Sequence, residues 1–197
     1  MLRNLVGSSC RSFVFCLAVI AFSSSMAQVT LAGQPKVGDK ATAFKAKDLS
    51  GKDGAFDPGK LEGPAVLVFL RGFPGYQCPI CSRQVGQLVA KAEDFAGQKA
   101  QVIFVYPGPK SNLMAKAKQF TRNKELPEGF QMFIDGDYKI TNAYDLRWEA
   151  PRETAYPTTL VIDSTGVIRF AKVSKSHGGR TSPEEVLKAV SELKQVK

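Results

Sequence analysis

Pro64-Ala-Val-Leu-Val-Phe-Leu-Arg-Gly-Phe-Pro-Gly-Tyr-Gln-Cys-Pro-Ile-Cys81 is the stretch on which the fold of this chain turns. Its first part is a continuous apolar run with no polar alternation. Such a run reads as a strand buried on both faces, the kind found inside a parallel sheet. Residues 72–77 hold Pro74 and Gly75 and read as a loop. The spacing predicts a helix from Cys78–Pro79 onward, because proline is tolerated in a first turn. Val85, Leu88, Val89, Ala92 and Phe95 recur at helical intervals, and Gly97 is expected to end the helix.

The end of that stretch also carries chemistry. A thiol is a poor nucleophile until it loses its proton. The free N–H groups and partial positive charge of a helix N-terminus favour that loss. Two residues between Cys78 and Cys81 at the start of a helix bring both sulfurs within disulfide reach. One can attack while the other resolves the intermediate, cycling between dithiol and disulfide. Arg71 and Arg83 are nearby cations that would favour a thiolate. Arg71, ending the buried strand, is expected to point toward the sulfurs; a surface role for Arg83 is an equal alternative. A purely structural disulfide fits poorly, since a closure this short staples almost nothing.

Upstream, residues 1–27 read as a secretory signal peptide. Arg3 and Arg11 supply its positive region, and no acid precedes Asp39. The apolar stretch Phe13-Val-Phe-Cys-Leu-Ala-Val-Ile-Ala-Phe22 is shorter than the roughly 20 residues a bilayer span needs. Ser25-Met26-Ala27 has small residues at the positions a signal peptidase reads. Cleavage is expected after Ala27, with Ala32 the second choice and an uncleaved anchor the alternative. Cys10 precedes the apolar stretch and Cys16 lies within it, so neither closes a lipoprotein motif. Without the signal, Cys78 and Cys81 are the only cysteines. Two cysteines and His177 fall short of the four ligands of a structural zinc site, so no metal is assigned. Export would place the pair where thiols can be oxidised. No membrane span is expected after cleavage.

Residues 28–42, with Gly33, Pro35 and Gly38, read as a linker, and residues 43–57 as an irregular hairpin. Downstream, 101–106 reads as a second buried strand, stopped by Pro107-Gly108-Pro109. A helix is expected over 111–123, a short strand over 130–134 and a short helix over 137–146. Residues 158–163 and 167–173 form a hairpin around Asp163-Ser-Thr-Gly166. The last helix starts with Ser182 as N-cap, Pro183 in its first turn and Glu185 completing a capping box. This order implies one α/β domain over 43–197: a central mixed sheet, parallel inside and antiparallel at one edge, flanked by helices.

Hydrophobic residues make up 44% of the 197 residues and charged ones 23%, which is enough for an ordinary core. The net charge is +9, but lysine and arginine are scattered rather than clustered, which argues against nucleic-acid binding.

In this order the motifs resemble the peroxiredoxin-like AhpC/TSA group of the thioredoxin superfamily. The resemblance spans about residues 36–195. It rests on Gly38-Asp39, the strand into Arg71-Gly72, Cys-Pro-Ile-Cys81, Ile162-Asp163-Ser-Thr-Gly166-Val-Ile-Arg169 and Ser182-Pro183-Glu184-Glu185. It implies a thioredoxin fold and a thiol-dependent antioxidant activity that needs no organic cofactor. An external dithiol, such as a thioredoxin-like protein, would be the reductant. Peroxiredoxins carry Pro, three residues, Thr, two residues and the peroxide-attacking Cys. Pro74, Cys78 and Cys81 have that spacing, with Cys78 in place of Thr, so this alignment makes Cys81 the attacking thiol. The thioredoxin alignment makes it Cys78, with Pro79 between. Peroxiredoxins place an arginine before the late strand. This chain has Pro157 there, where thioredoxin-like proteins hold a cis-proline against the cysteine pair, and Arg152 lies five residues upstream.

Three activities follow. Peroxide could oxidise one cysteine to a sulfenic acid that condenses with the other. The pair could instead exchange with protein disulfides, as Pro157 suggests. A Cu(I) chaperone is the third, with His177 as a further ligand, although His177 reads more simply as part of a surface loop. Trp148 reads as a half-buried packing residue, with a partner groove as the alternative.

Overall fold

The computed structural model describes residues 33–122 and 125–193. The expected signal peptide, with Cys10 and Cys16, lies outside the described residues. Seven strands form one sheet: β1 (Phe44–Asp48), β2 (Asp53–Phe56), β3 (Ala65–Phe69), β4 (Gln101–Gly108), β5 (Phe130–Gly136), β6 (Thr158–Ile162) and β7 (Ile168–Val173), in the order β2-β1-β5-β4-β3-β6-β7. β3, β4 and β5 run parallel; every other pairing is antiparallel. All residues of β3 and β6 are buried, as their unbroken apolar or threonine-rich sequences require of strands covered on both faces. This is the expected mixed sheet of the thioredoxin fold.

The helices are α1 (Pro79–Val89), α2 (Ala92–Gly97), α3 (Leu113–Phe120), α4 (Lys139–Ala143) and α5 (Pro183–Glu192). Residues of β3 and the following Leu70 alternate between two cores. Val66, Val68 and Leu70 pack with Cys78, Cys81, Leu88, Phe95, Ala117, Val186 and Val190, beneath α1, α2, α3 and α5. Leu67 and Phe69 face Ile140, Tyr144 and Leu146 on the opposite side.

Several expectations need correction. The helix begun at Pro79 does not run to Gly97 but breaks after Val89. The Lys91 N–H bonds the Leu88 carbonyl at 3.0 Å, tightening the last turn, and the chain resumes as α2, where Phe95 packs edge-on against Phe130. β4 does not stop at Pro107: Pro107 pairs with Asp135 and Gly108 with Gly136. Pro107 lacks its N–H on the side where β3 has already ended. Its carbonyl there accepts from Phe73, so no ladder bond is lost. The helices expected over 111–123 and 137–146 shrink to Leu113–Phe120 and Lys139–Ala143.

The hairpin over 43–57 is regular, with four paired positions. The described end of the expected linker docks on the sheet edge. Gly38 and Ala41 donate to Ile168 and Gly166, and Ile168 donates to Asp39, so β7 does not leave these groups unpaired. Among the described residues no helix is long and apolar enough to cross a membrane.

Candidate active site

The cysteines stand at the C-terminal end of the parallel strands. β3 delivers the chain there, and a short loop turns it into α1. Gly72 makes the turn with φ of 63°, and a Cβ on it would lie 2.0 Å from the Pro107 carbonyl oxygen, so only glycine fits. The Phe73 N–H then donates to that same carbonyl at 2.9 Å. Gln77 secures the far end of the loop. Its Nε2 donates to the Lys116 carbonyl at 2.9 Å, and its Oε1 accepts from the buried Tyr106 hydroxyl at 2.8 Å. Pro74 is half-buried within this loop and Pro79 lies exposed at the first position of α1.

Cys78 is the N-cap of α1, in extended conformation, and its Sγ accepts from the Cys81 N–H at 3.4 Å. Both cysteines are free thiols, 2% and 0% exposed. The Cys81 thiol hydrogen-bonds to Cys78 and, against the opposing effect of burial, the Cys81 N–H, Arg180 and Arg71 add to it. Together they bring the Cys78 pKa down to about 5. Burial and the adjacent Cys78 sulfur push Cys81 the other way. The first turn of α1 holds no acid to oppose a thiolate.

Arg71 is buried, but its guanidinium turns from the sulfurs to a carboxylate. Nε and Nη2 grip Glu153 at 2.6 and 3.0 Å, Nη1 donates to the Tyr76 hydroxyl at 2.6 Å, and Nη2 also reaches the Arg152 carbonyl at 2.7 Å. Its positive charge is thus largely matched by Glu153, and its pull on Cys78 is the weakest of the causes named above. Arg83 is exposed and makes no hydrogen bond to either sulfur, so the surface role is the one it takes. Arg152 contributes its carbonyl; its side chain is exposed.

The cation on the sulfurs is Arg180. Its Nη2 stands 3.4 Å from Cys81 Sγ and 4.0 Å from Cys78 Sγ, while Nη1 donates to Gln84 Oε1 at 2.8 Å and Nε to the His177 carbonyl at 3.1 Å. The sequence around it, Ser176-His-Gly-Gly-Arg180, reads as a plain surface loop. A signal was present in the topology. β7 runs in the same direction as β3, because β6 is antiparallel to both, so the chain leaving β7 emerges beside the cysteines.

His177 does not join the sulfurs as a ligand. Its Nε2 pairs with Glu153 Oε1 at 2.8 Å, and its ring rests against Trp148, which stacks on Tyr156 at 4.9 Å. Burial opposes ionisation of Glu153, but its bonds to Arg71 and His177 hold the carboxyl below the usual range. Pro157 is buried and its carbonyl accepts from the Ser174 N–H at 2.8 Å. The Tyr156–Pro157 peptide is trans, contrary to the cis form that the thioredoxin alignment implies. Among the described residues no group of three or more His, Cys, Asp or Glu side chains could hold a metal ion.

The profile of the AhpC/TSA family matches residues 37–171. The chain belongs to the AhpC/TSA family. It is an enzyme of the thiol peroxidase and thiol–disulfide oxidoreductase class. No curated protein matches it in sequence. Among solved structures it is similar to AhpC of Mycobacterium tuberculosis, at 18% identity and a TM-score of 0.62, over 82% of this chain and 94% of that one. A peroxiredoxin-like protein from Aquifex aeolicus has 18% identity and a TM-score of 0.64, over 81% and 88%. The reduced 2-Cys peroxiredoxin of Plasmodium vivax has 16% identity and a TM-score of 0.63, over 82% and 83%. These likenesses extend the fold.

Proposed function

We propose that this protein reduces peroxides through a Cys78/Cys81 thiol–disulfide cycle, with Cys78 as the attacking sulfur, and that it works as an exported protein after loss of residues 1–27. The Cys78 sulfur is the observation that carries this reading: in a chain of the AhpC/TSA family it caps α1, accepts from the Cys81 N–H at 3.4 Å and lies 4.0 Å from the Arg180 guanidinium, which together favour the thiolate that attacks peroxide.

The Cys78 thiolate attacks the terminal oxygen of the peroxide. An S–O bond forms, the O–O bond breaks, and the other oxygen leaves as an alcohol or water after taking a proton from solvent. Cys78 is then a sulfenic acid. The Cys81 sulfur, whose amide already touches Cys78, displaces the hydroxyl as water and closes the disulfide. A thioredoxin-like dithiol reduces it by exchange and is itself oxidised. Tyr76 and Ile80, 47% and 39% exposed beside the pair, offer that protein an apolar landing surface.

Separate serine replacements test the assignment. With hydrogen peroxide, Cys81→Ser is expected to give one trapped sulfenic acid on Cys78 and no turnover, and Cys78→Ser no oxidation. The reverse pattern would return the attack to Cys81. Inertness of the reduced protein to peroxide, with fast exchange on a protein disulfide, would replace the peroxidase reading with the oxidoreductase one.

A further inference from the structure

We propose that Arg180 is the group that stabilises the anionic sulfur and the departing oxygen, and that the His177–Glu153 pair is the clasp that holds it over the cysteines. The inference rests on the Cys78/Cys81 cycle proposed above and assigns a role that the family pattern places elsewhere in the chain.

The two arginines near the site are in unlike states. Arg71 has a bidentate carboxylate. Arg180, half-buried, has no carboxylate within ion-pair distance among the described residues; its partners are an amide oxygen, a main-chain carbonyl and two sulfurs. A partly desolvated guanidinium is held at a cost unless an anion faces it. The Cys78 thiolate is the anion at hand. During attack the negative charge passes from sulfur to the leaving oxygen. A planar guanidinium beside both sulfurs can follow that shift without giving up a proton.

The loop over residues 174–181 is built to deliver this group. Its ends are tied to β6 and the residue before it: Ser174 N–H donates to the Pro157 carbonyl at 2.8 Å, and the Thr181 and Thr159 hydroxyls share a bond of 2.8 Å. Gly179, with φ of 67°, turns the chain between them. At mid-loop, His177 grips Glu153, which Arg71 holds rigid from the end of β3, and the His177 carbonyl in turn holds Arg180 Nε. The clasp therefore runs from the strand that bears the active-site loop to the arginine above it. Disulfide formation removes the anion and leaves Arg180 with neutral partners only, so the clasp is firmest in the reduced enzyme.

The test uses the reduced full-length protein and reads thiolate absorbance against pH, iodoacetamide alkylation and the rate with hydrogen peroxide. Arg180→Gln is expected to raise the pKa of the reactive cysteine by about one unit, to slow peroxide reduction about 10–100-fold, and to make the disulfide potential more negative, because the reduced state loses its stabiliser. Arg180→Lys should recover part of the rate. His177→Ala should shift the pKa in the same direction but less, and His177→Gln, which keeps a donor toward Glu153, should restore it. An unchanged thiolate pKa with a peroxide rate within about twofold in Arg180→Gln overturns the proposal. A wild-type protein whose reactive thiolate forms on Cys81 overturns the attack assignment alone, since Arg180 reaches both sulfurs and its removal is still read.

Discussion

Helices α1 and α5 begin alike, with a capping side chain and then a proline: Cys78-Pro79 and Ser182-Pro183. In each the cap is extended and its side chain accepts from the N–H three residues on, Cys81 at 3.4 Å and Glu185 at 3.2 Å. The rest of the first turn differs. α5 carries Glu184 and Glu185, which complement the positive helix end, and Glu185 also pairs with Lys172 at 3.0 Å. α1 has no acid there, and its cap is a sulfur, a weak acceptor as a thiol and a good one as a thiolate. The same backbone device thus stabilises the fold at one helix, whereas at the other it is kept in reserve for an ionised sulfur.

Making one cap resemble the other should separate the two uses. Cys78→Ser is expected to have the largest effect: a hydroxyl caps as well as Ser182 does, so stability at pH 5, where the thiolate adds little, should hold within about 1 kcal/mol, while peroxide turnover at neutral pH falls by at least about a thousandfold because serine does not ionise there. Retained turnover would show that the cap sulfur is not the nucleophile.

Changing pH titrates the difference without mutation. Alkylation of Cys78 should be level above its pKa of about 5 and fall about tenfold per pH unit below it. The folded pKa lies below the unfolded one, near 8.5. The stability this sulfur contributes is therefore fully present above the unfolded value and lost as pH falls toward 5. Urea unfolding of the reduced protein at pH 5 and 8, beside Cys78→Ser, reads that gain.

Ile80 occupies the position in α1 that Glu184 holds in α5, and it is exposed. Ile80→Glu should therefore import the acid that α1 lacks, raising the Cys78 pKa by about half a unit to one unit and slowing the peroxide reaction a few-fold. Thiolate absorbance would measure it, and an unmoved pKa would mean that the helix end contributes little. The smallest effect is expected at the stabilising cap. Ser182→Ala should cost about 1 kcal/mol in denaturant unfolding and leave the Cys78 pKa where it was.

Both helix starts, and Ser182 as a cap, were legible from sequence because these signals are local: a proline, apolar spacing and, at Ser182, a capping hydroxyl all fall within one turn; that the Cys78 sulfur caps α1 came from the structure. The buried strands were equally plain, since a strand covered on both faces must be apolar throughout. The break after Val89 and the passage of β4 through Pro107 were not. Each depends on what lies across the sheet, namely the packing of Phe95 on Phe130 and the early end of β3. Arg71 shows the same limit from the other side. Its position at the end of β3 was evident, but Glu153, 82 residues away, turned its charge from the sulfurs.

By itself, then, the sequence determined that this is an α/β protein with a cysteine pair on a helix N-terminus, because backbone propensity and side-chain spacing act over a few residues. Only the tertiary structure decided which charges face those sulfurs. Arg180 lies 99 residues from Cys81 along the chain and 3.4 Å from it in space. Electrostatic influence depends on distance and burial, which are set by strand direction and loop closure rather than by neighbours in the sequence.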